Sequence, residues 1–282
     1  LLATAALGST TGLGAELHQP LDAAQRVFVA GKAAYWRERK DYFYVEQRIA
    51  EYRRASAGGE VSAGLNFSLL GQARLGWRET RITNERETGV DIAELLNGGR
   101  TTRSGGWLLA LDMDQFDRLY FPRRGWAVNA GLYGNDSDGY SRLDLQAQAA
   151  WPWQSWVLGA RASWVDSPQG QLPFNEAGEL GGFLNLSAYA SGQLVGDGVA
   201  YGHVRAERII GNLPLGLRGD MRMGVALEAG RVARPFTVQK RDGWLNSLTV
   251  YLGGETPLGP VYVGLGGGSY GAANAYLFIG TP

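Results

Sequence analysis

The chain has 282 residues, with 27 basic and 27 acidic side chains, and it contains no cysteine. A zero net charge argues against a nucleic-acid binder that works by bulk electrostatics, and the lack of cysteine excludes thiolate metal sites and disulfides. The 42 glycines and the 11% share of aromatic residues fit many strands with tight turns, since glycine inside a helix costs about 1 kcal/mol relative to alanine. Two histidines are too few for a histidine-rich metal site, so no metal or cofactor is predicted.

Apolar and polar residues alternate with a period of two over most of the chain, which is the pattern of β-strands. Arg142 and Asp144, for example, fall on one face of a predicted strand, and Leu143 and Leu145 fall on the other. The alternation predicts strands at residues 1–8, 12–20, 25–37, 50–66, 70–83, 104–116, 120–134, 139–152, 154–166, 197–210, 215–231, 243–255, 259–268 and 272–281.

The predicted connections alternate in length along the chain. Short connections are predicted at 117–118, 151–155, 211–214 and 257–258, and long ones at 84–103, 134–139, 166–196 and 231–242. Short turns at one end and long loops at the other are typical of up-and-down membrane barrels. Several predicted strands also exceed the length of about 10 residues that a tilted strand needs to cross a bilayer.

Two architectures fit this pattern, and they differ in where the apolar faces point. A soluble β-sandwich or propeller buries those faces, whereas a membrane barrel turns them toward lipid and encloses a polar lumen. Aromatic residues near predicted strand ends, such as Trp151, Trp153 and Trp244, favour the barrel because tryptophan and tyrosine form girdles at membrane interfaces. We therefore predict an all-β fold, a transmembrane antiparallel up-and-down β-barrel with about fourteen visible strands.

Two motifs of catalytic or nucleotide-binding proteins occur near the end of the chain. Residues 267–271 match G-x-S-x-G with Ser269 at the centre, and Gly266, Gly268 and Gly271 match G-x-G-x-x-G. Both motifs need a helix directly after them, but the following AANAYLFIG predicts a strand. We interpret Ser269 as a turn residue and predict no catalytic residue in this chain.

The region 166–197 differs in kind from the other predicted connections, because it is long, rich in glycine and poor in charge. Loops longer than about 12–15 residues usually have a role. We predict that it folds back into the barrel lumen, where its aromatic residues are covered. The alternative is an extracellular loop that contacts lipid or a neighbouring molecule.

Charged residues on the polar faces of two later strands predict a lumen wall. We interpret these side chains as an interior network of mutually compensating charges rather than as ligands or catalytic groups. They are His203, Arg205, Glu207, Arg218, Asp220 and Arg222.

Four stretches carry a resemblance to a known group of proteins: LDMDQFDRLYFPRRGWAVNAGL at 111–132, ELGGFLNLSAYASGQLVGDGVAYGHVRAERI at 179–209, GETPLGPVYVGLG at 254–266 and NAYLFIGTP at 274–282. They resemble the barrels of the outer-membrane protein-transport superfamily that includes BamA-type assembly factors and two-partner secretion transporters. Within it they look most like the barrel domain of patatin-like phospholipase autotransporters, the type Vd secretion systems.

The resemblance implies several expectations about this chain. Residues 1–282 would form one outer-membrane barrel domain of the surface-antigen type, truncated at its N-terminus, with a lumen loop at 166–197. The family barrel has 16 strands. The resemblance also implies a turn motif and a loop motif: Phe121, Pro122, Arg123, Arg124 and Gly125 form the first, and Gly181, Gly182, Phe183, Asn185, Ser187, Tyr189 and Gly196 form the second.

One departure concerns the tip of the lumen loop, which in the wider superfamily carries Arg-Gly-aromatic and pairs its arginine with acidic residues of the wall. Asn185 and Ala188 stand near the positions of the arginine and glycine here, and Tyr189 matches the aromatic residue. The family ion pair is therefore not predicted for this chain. The chain also ends at Pro282 rather than at the terminal aromatic residue that outer-membrane assembly usually reads.

The function implied by the resemblance is the membrane anchor and secretion unit of a patatin-like autotransporter in the bacterial outer membrane. Its expected partners are outer-membrane lipid, a fused passenger outside this chain, the barrel assembly machinery and a second copy paired at the barrel seam, with no nucleic acid. Lipase activity would belong to the passenger. The open alternatives are a stand-alone assembly or two-partner secretion translocase, a passive porin and a soluble β-sandwich binding module.

Overall fold

The computed structural model covers the whole chain, and it describes all residues except 7, 9, 93–95, 97–100, 213–218, 237–242 and 257–258. The described residues form fifteen strands and two short 3₁₀ turns, Phe174–Glu176 and Ser269–Gly271. The strands are β1 Leu2–Ala6, β2 Thr10–Pro20, β3 Val27–Tyr44, β4 Gln47–Asn66, β5 Gly71–Gly89, β6 Thr101–Asp114, β7 Gly125–Asn135, β8 Tyr140–Trp153, β9 Trp156–Asp166, β10 Gly178–Leu180, β11 Leu194–Asn212, β12 Asp220–Pro235, β13 Leu245–Thr256, β14 Gly259–Gly268 and β15 Ala273–Ile279.

The strands form one antiparallel sheet in which each strand pairs with its neighbours along the chain. Only β10 lies off this path, where it pairs with the start of β11, and β9 pairs directly with β11. Each of the fourteen predicted strands thus corresponds to a strand of the path. The register of the described residues contains no pairing between β1 and β15, so both remain edge strands.

The two faces of the sheet differ in the way that a membrane barrel requires. On the face that we call outer, large apolar side chains are exposed along the strands, and half or more of the surface of Leu75, Leu227 and Leu265 is accessible. On the opposite, inner face, the buried residues include Glu207, Arg222, Glu228 and Thr249. The arrangement is inverted relative to a soluble sandwich, in which apolar side chains meet in the core.

Tryptophan side chains follow the outer face near the strand ends, as predicted for interfacial girdles. Their exposure contradicts the alternative in which they fill the core of a sandwich, since each is at least 39% accessible. They are Trp77, Trp126, Trp151, Trp153, Trp164 and Trp244.

The connections alternate between two ends of the sheet. Among the connections that the structure describes in full, 21–26, 67–70, 115–124 and 154–155 lie at one end, the short-connection end, and 45–46, 136–139, 167–193 and 269–272 lie at the other, the long-connection end. The predicted alternation of length is confirmed only in part: 167–193 is much longer than 154–155, but 115–124 is longer than 136–139. The two-residue turn at Val45 and Glu46 is a further departure, because it joins β3 and β4 at the end that carries the longest connection.

Several predicted strand boundaries are wrong, and the strand predicted at 70–83, for example, continues to Gly89. The strand predicted at 25–37 continues to Tyr44, and Val45 and Glu46 close a tight hairpin with φ of +48° and +67°. The strand predicted at 120–134 begins at Gly125, and the predicted two-residue connection at 117–118 is instead the segment 115–124. In that segment Asp117 accepts hydrogen bonds from two backbone N–H groups, so local hydrogen bonds replace strand pairing.

Candidate functional site

Residues 167–193, which connect β9 to β11, lie over the inner face of the sheet, and we call them the inner segment. Leu180, Leu184 and Leu186 are at most 1% exposed, and they pack with inward-facing residues of β11 and β12 and with residues near them. A segment this apolar gains free energy by leaving water. The predicted return of this connection into the barrel agrees with these contacts, although the segment ends at Gln193 rather than at 197.

The tip of the inner segment binds one carboxylate on β12. Glu228 Oε2 accepts the backbone N–H of Leu186 at 2.6 Å and that of Ser187 at 3.1 Å, and Ser187 Oγ donates to Oε1 at 2.7 Å. The hydroxyl of Thr249 also donates to Oε1, and the Tyr201 hydroxyl lies 2.9 Å from Oε2. Glu228 is 3% exposed. A carboxylate so deeply buried requires such donors, and these hydrogen bonds fix the position of the tip on the inner face.

This contact takes the place of the ion pair that the resemblance would supply. Asn185 does not reach the wall, because its Nδ2 donates to the Gly181 carbonyl at 3.2 Å within the segment. The backbone N–H of Ala188 donates to Ser247 Oγ at 2.9 Å, and the Tyr189 carbonyl accepts from the hydroxyl of Tyr276 at 2.8 Å. Backbone groups of the tip therefore bind wall residues in place of the ion pair that the resemblance implies.

The tip fits against the sheet because β14 presents glycines on its inner face. A Cβ atom would lie 3.0 Å from the Phe183 ring at Gly264, 2.4 Å from the Ser187 carbonyl oxygen at Gly266 and 2.5 Å from the Ala188 Cβ at Gly268. The outward-facing Gly267 would meet nothing within 4 Å. Alternate glycines in a strand often mark a close approach by another part of the chain. The glycine-rich motif is thus a packing surface, and Ser269 lies in the connection after it.

An aromatic cluster holds the start of the tip. The Phe183 ring lies 5.1 Å from Tyr262, 5.5 Å from Tyr251, 5.6 Å from Phe278 and 5.8 Å from Tyr276, measured between ring centroids. These distances are within the range of favourable aromatic pairs. Phe183 is therefore the main apolar anchor of the predicted loop motif.

The three glycines of the loop motif have different roles. Gly181 and Gly182 have φ of +110° and +106°, and a Cβ at Gly181 would lie 1.9 Å from the Ala190 carbonyl oxygen. Glycine is required where the chain turns this tightly. Gly196 belongs to β11 rather than to the loop, which corrects the prediction, because strand pairing begins at Leu194. A Cβ there would lie 2.4 Å from Val232.

Further contacts hold the middle of the inner segment at the long-connection end. Arg78 and Arg142 pair with Glu176 Oε2 at 3.2 and 3.7 Å, and Arg54 donates to the Asn175 carbonyl at 2.8 Å.

Leu172 and Glu179 of the inner segment are held by other residues. Asp197 accepts the Leu172 N–H at 2.8 Å and Arg234 Nε at 2.9 Å, and Lys40 of β3 pairs with Glu179. Together with the contacts of the tip and of residues 175 and 176, these bonds attach the segment to strands β3, β4, β5, β8, β11, β12, β13 and β15.

The predicted wall residues that the structure describes form a network near the short-connection end. Glu207 lies 3.5 Å from Arg205 and 3.7 Å from Arg222, and it accepts a hydrogen bond from Tyr251 at 2.7 Å. Arg222 also lies 3.8 Å from Asp220.

His203 lies apart from that network, and its Nδ1 is 2.9 Å from the Tyr201 hydroxyl. Arg218 falls outside the described residues.

The FPRRG turn covers part of the same region. Phe121, with φ of +48°, is 5% exposed and packs 5.3 Å from Tyr262, and the guanidinium of Arg222 lies 4.8 Å above its ring. Arg123 bridges to Asp220 at 3.1 Å. Gly125 has φ of +116°, where a Cβ would lie 2.2 Å from the Gln115 carbonyl oxygen.

Asp117 fixes the shape of this connection. Its Oδ1 accepts the N–H groups of Arg123 at 2.9 Å and Arg124 at 3.2 Å. Desolvation acts to raise the pKa of the Asp117 carboxyl, but these N–H donors outweigh it and lower the pKa below the ordinary value. Pro122 and Arg124 complete the turn, and nothing in their contacts suggests a further role.

Sequence reasoning missed the residues that receive the tip, namely Tyr201, Glu228, Ser247, Thr249 and the inner glycines of β14. The alternate glycines of β14 could have indicated a close approach by another segment, whereas Glu228 has the same sequence pattern as the other inward-facing charged residues. Among the described residues no group of three or more candidate ligands could hold a metal ion. No described helix is both long enough and apolar enough to cross a membrane.

Comparisons with known proteins agree with this geometry. The family model of the Omp85 superfamily domain matches residues 9–225. No curated protein sequence is significantly similar to the chain.

Solved structures with the same fold include BamA from Haemophilus ducreyi lacking POTRA domains 1-3, with a TM-score of 0.72 and 15% identity over 96% of this chain and 61% of that one. CdiB from Acinetobacter baumannii has a TM-score of 0.58 and 12% identity over 93% of this chain and 47% of that one. CdiB from Escherichia coli has a TM-score of 0.59 and 13% identity, over 96% and 51%. The chain thus spans less than two thirds of the length of each of these structures. Their fold, together with the match to the family model, confirms the predicted transmembrane barrel.

Proposed function

The chain belongs to the Omp85 superfamily of bacterial outer-membrane barrels, and we propose that it anchors and secretes a fused passenger, with the inner segment closing the passage. The observation that carries this proposal is the binding of the segment tip by Glu228 inside the sheet. A porin needs no such closure, whereas a secretion barrel must prevent leakage between transport events. We further propose that residues 1–282 form one barrel domain.

Conductance of the barrel in a planar bilayer tests the closing role of the inner segment. The intact barrel should conduct little, and deletion of residues 170–192 should raise its conductance, because the deletion removes the tip, β10 and the 3₁₀ turn. A passive porin predicts large conductance that the deletion leaves unchanged. That result would refute the closing role.

We propose a patatin-like phospholipase as the passenger, which makes the chain the barrel of a type Vd autotransporter. The support is the resemblance of the four stretches at 111–132, 179–209, 254–266 and 274–282. The reading frame upstream of Leu1 tests it directly. A patatin-like domain would support the proposal, whereas POTRA domains without one would favour an assembly or two-partner secretion translocase, the alternative suggested by the likeness to BamA and CdiB folds.

We also propose that two copies associate through the edge strands. The support is that, within the described part of the chain, β1 and β15 each pair with a strand on one side only, and exposed edges pair readily with another strand. The mass of the barrel in detergent, measured by light scattering, should then be that of a dimer. A monomer at all protein concentrations would exclude this association. Outer-membrane lipid and the barrel assembly machinery remain the other proposed partners.

A further inference from the structure

The buried and half-buried arginines of the inner face are paired with carboxylates. Arg74 pairs with Glu60 at 3.1 Å, Arg78 with Glu176 at 3.2 Å, Arg142 with Asp144 at 2.7 Å, Arg205 with Glu207 at 3.5 Å and Arg222 with Glu207 at 3.7 Å. Such pairing compensates the desolvation of each charge. It also places a carboxylate beside each of these five guanidinium groups.

Arg161 on β9 departs from this pattern. Among the described residues no carboxylate forms an ion pair with it. Its Nε is buried without a hydrogen-bond acceptor, and its Nη2 reaches Gln146 Oε1 at 3.4 Å. The guanidinium therefore keeps donors available for another group.

The nearest row of the sheet explains why Arg161 stays unpaired. The register places Arg161 opposite His203, and His203 opposite Glu228. Glu228 already accepts hydrogen bonds from Leu186 and Ser187 of the tip and from Thr249 of β13. The neighbouring Arg205 is held by Glu207. The positive charge of Arg161 is thus not cancelled by the inner face around it.

A cavity of about 290 Å³ lies beside Arg161 at the short-connection end. The polar and charged residues that line it include Asp114, Asn129, Gln146, Gln148, Arg161, His203 and Arg205. Asp114 is the one acidic side chain among them, against two arginines, and Phe121 of the FPRRG turn contributes to the edge of the cavity. Its volume is at the lower limit of ordinary ligand pockets, roughly 300–1,000 Å³, which suits a small group rather than a large molecule.

We propose that this cavity binds a small oxyanion of the carboxylate or phosphate class through Arg161, with Gln146 and Gln148 as amide partners. A planar guanidinium donates two parallel hydrogen bonds to such an anion, and side-chain amides add neutral donors. The anion would complete the charge pairing that the wall leaves open at Arg161. The site depends on the folded sheet and not on the transport proposal.

The same chemistry has two sources, a free small anion or the acidic side chain of an extended polypeptide in the lumen. Arginine modification by phenylglyoxal in the folded, detergent-solubilised barrel distinguishes them, because bound anion protects the guanidinium. Modification of Arg161 is followed by peptide mass spectrometry with increasing inorganic phosphate. The exposed Arg231, on the outer face, is the internal control.

Phosphate should slow the modification of Arg161 but not that of Arg231, and chloride at equal ionic strength should protect neither. An acidic hexapeptide that protects at lower concentration than phosphate assigns the site to polypeptide side chains. Protection by phosphate alone assigns it to a free anion. Equal rates with and without either probe would overturn the site.

A variant of the lining adds a second test. Gln148→Leu should weaken phosphate protection at Arg161 by about tenfold, since a hydrogen bond to a charged group is lost. Gln72→Leu, on the inner face of β5 and away from the cavity, should leave protection unchanged. Both variants must show the heat-dependent gel mobility of a folded barrel. Unchanged protection in folded Gln148→Leu would refute the assigned role of the amide.

Discussion

Strands β3–β5 and strands β12–β14 belong to one sheet, but the first group carries an exposed network of charged side chains and the second carries a buried carboxylate. Near the hairpin end of β3–β5, Arg39 is 70% exposed and lies 3.4 Å from Glu87 and 3.8 Å from Glu51, in reach of water. On β12, Glu228 is 3% exposed and is enclosed by donors from three different parts of the chain. Exposed pairs contribute little free energy and select no single geometry, whereas the buried carboxylate admits one arrangement of the tip.

Replacing an inward-facing glycine of β14 by a larger residue should have the largest effect on the contact between strands β12–β14 and the tip. In Gly266→Val the new side chain would occupy the position of the Ser187 carbonyl, 2.4 Å from the added Cβ, so the tip must leave the sheet. We expect raised bilayer conductance and faster proteolysis within residues 181–193. The adjacent Gly267→Val is the matched control, because it points outward into open space. Equal behaviour of the two variants would show that the tip does not depend on this surface.

Removing the carboxylate of β12 should have the next largest effect. Glu228→Ala leaves the N–H groups of Leu186 and Ser187 without acceptors, at a cost of at least about 2 kcal/mol in the free energy of unfolding. Urea titration in detergent measures it. Glu16→Gln, at a partly exposed inward carboxylate paired with Lys32, serves as the control and should change stability by less than about 1 kcal/mol. If Glu228→Ala lowered the free energy of unfolding by as little as the control does, Glu228 would not be the anchor of the tip.

Breaking the exposed network should have a smaller effect. Glu87 contacts Arg39 and Arg53, and Glu87→Gln should lower the free energy of unfolding by about 1 kcal/mol or less, with the difference vanishing at high salt. The same titration, repeated at two salt concentrations, checks it. A larger loss that persists at high salt would mean that this region also relies on specific charge contacts.

The smallest effect concerns the turn at residues 115–124. Because the folded pKa of Asp117 lies below its unfolded value, its stabilising contribution is present at neutral pH and is lost as the pH falls through that folded pKa. Proteolysis of the turn should therefore accelerate in acid. Asp117→Asn should cleave faster at neutral pH and lose this acid dependence. If the rate of proteolysis in Asp117→Asn depended on pH as it does in the parent protein, the acid dependence would belong to another titratable group.

The same contrast explains what could be predicted from the sequence. The strands β13 and β14 were predicted to within two residues, since their outer positions meet lipid and their inner positions do not, whereas β12 continues to Pro235, beyond its predicted end at 231. The extension of β3 to Tyr44 was missed because polar side chains occur on both of its faces beyond residue 36, which removes the period of two. The turn residues Val45 and Glu46 also include no glycine or asparagine, which usually mark a two-residue hairpin turn.

The site was less predictable than the sheet. An apolar, glycine-rich connection of this length indicates a buried segment, and that part follows from composition. Its partner Glu228 lies some forty residues further along the chain and differs in no local feature from other inward charges. Such a pairing is fixed by the register of β11 on β12, which a single sequence does not determine.

The hairpin of β3 and β4 has a practical consequence. At about 3.3 Å per residue, the 20 residues of β4 span roughly 66 Å, far more than the apolar band of about 25 Å in outer-membrane barrels. Even with the usual tilt, a large part of the hairpin stands clear of the lipid. An epitope tag placed between Val45 and Glu46 should therefore be recognised by antibodies on intact cells, which would make this turn a handle for counting and imaging the barrel at the cell surface.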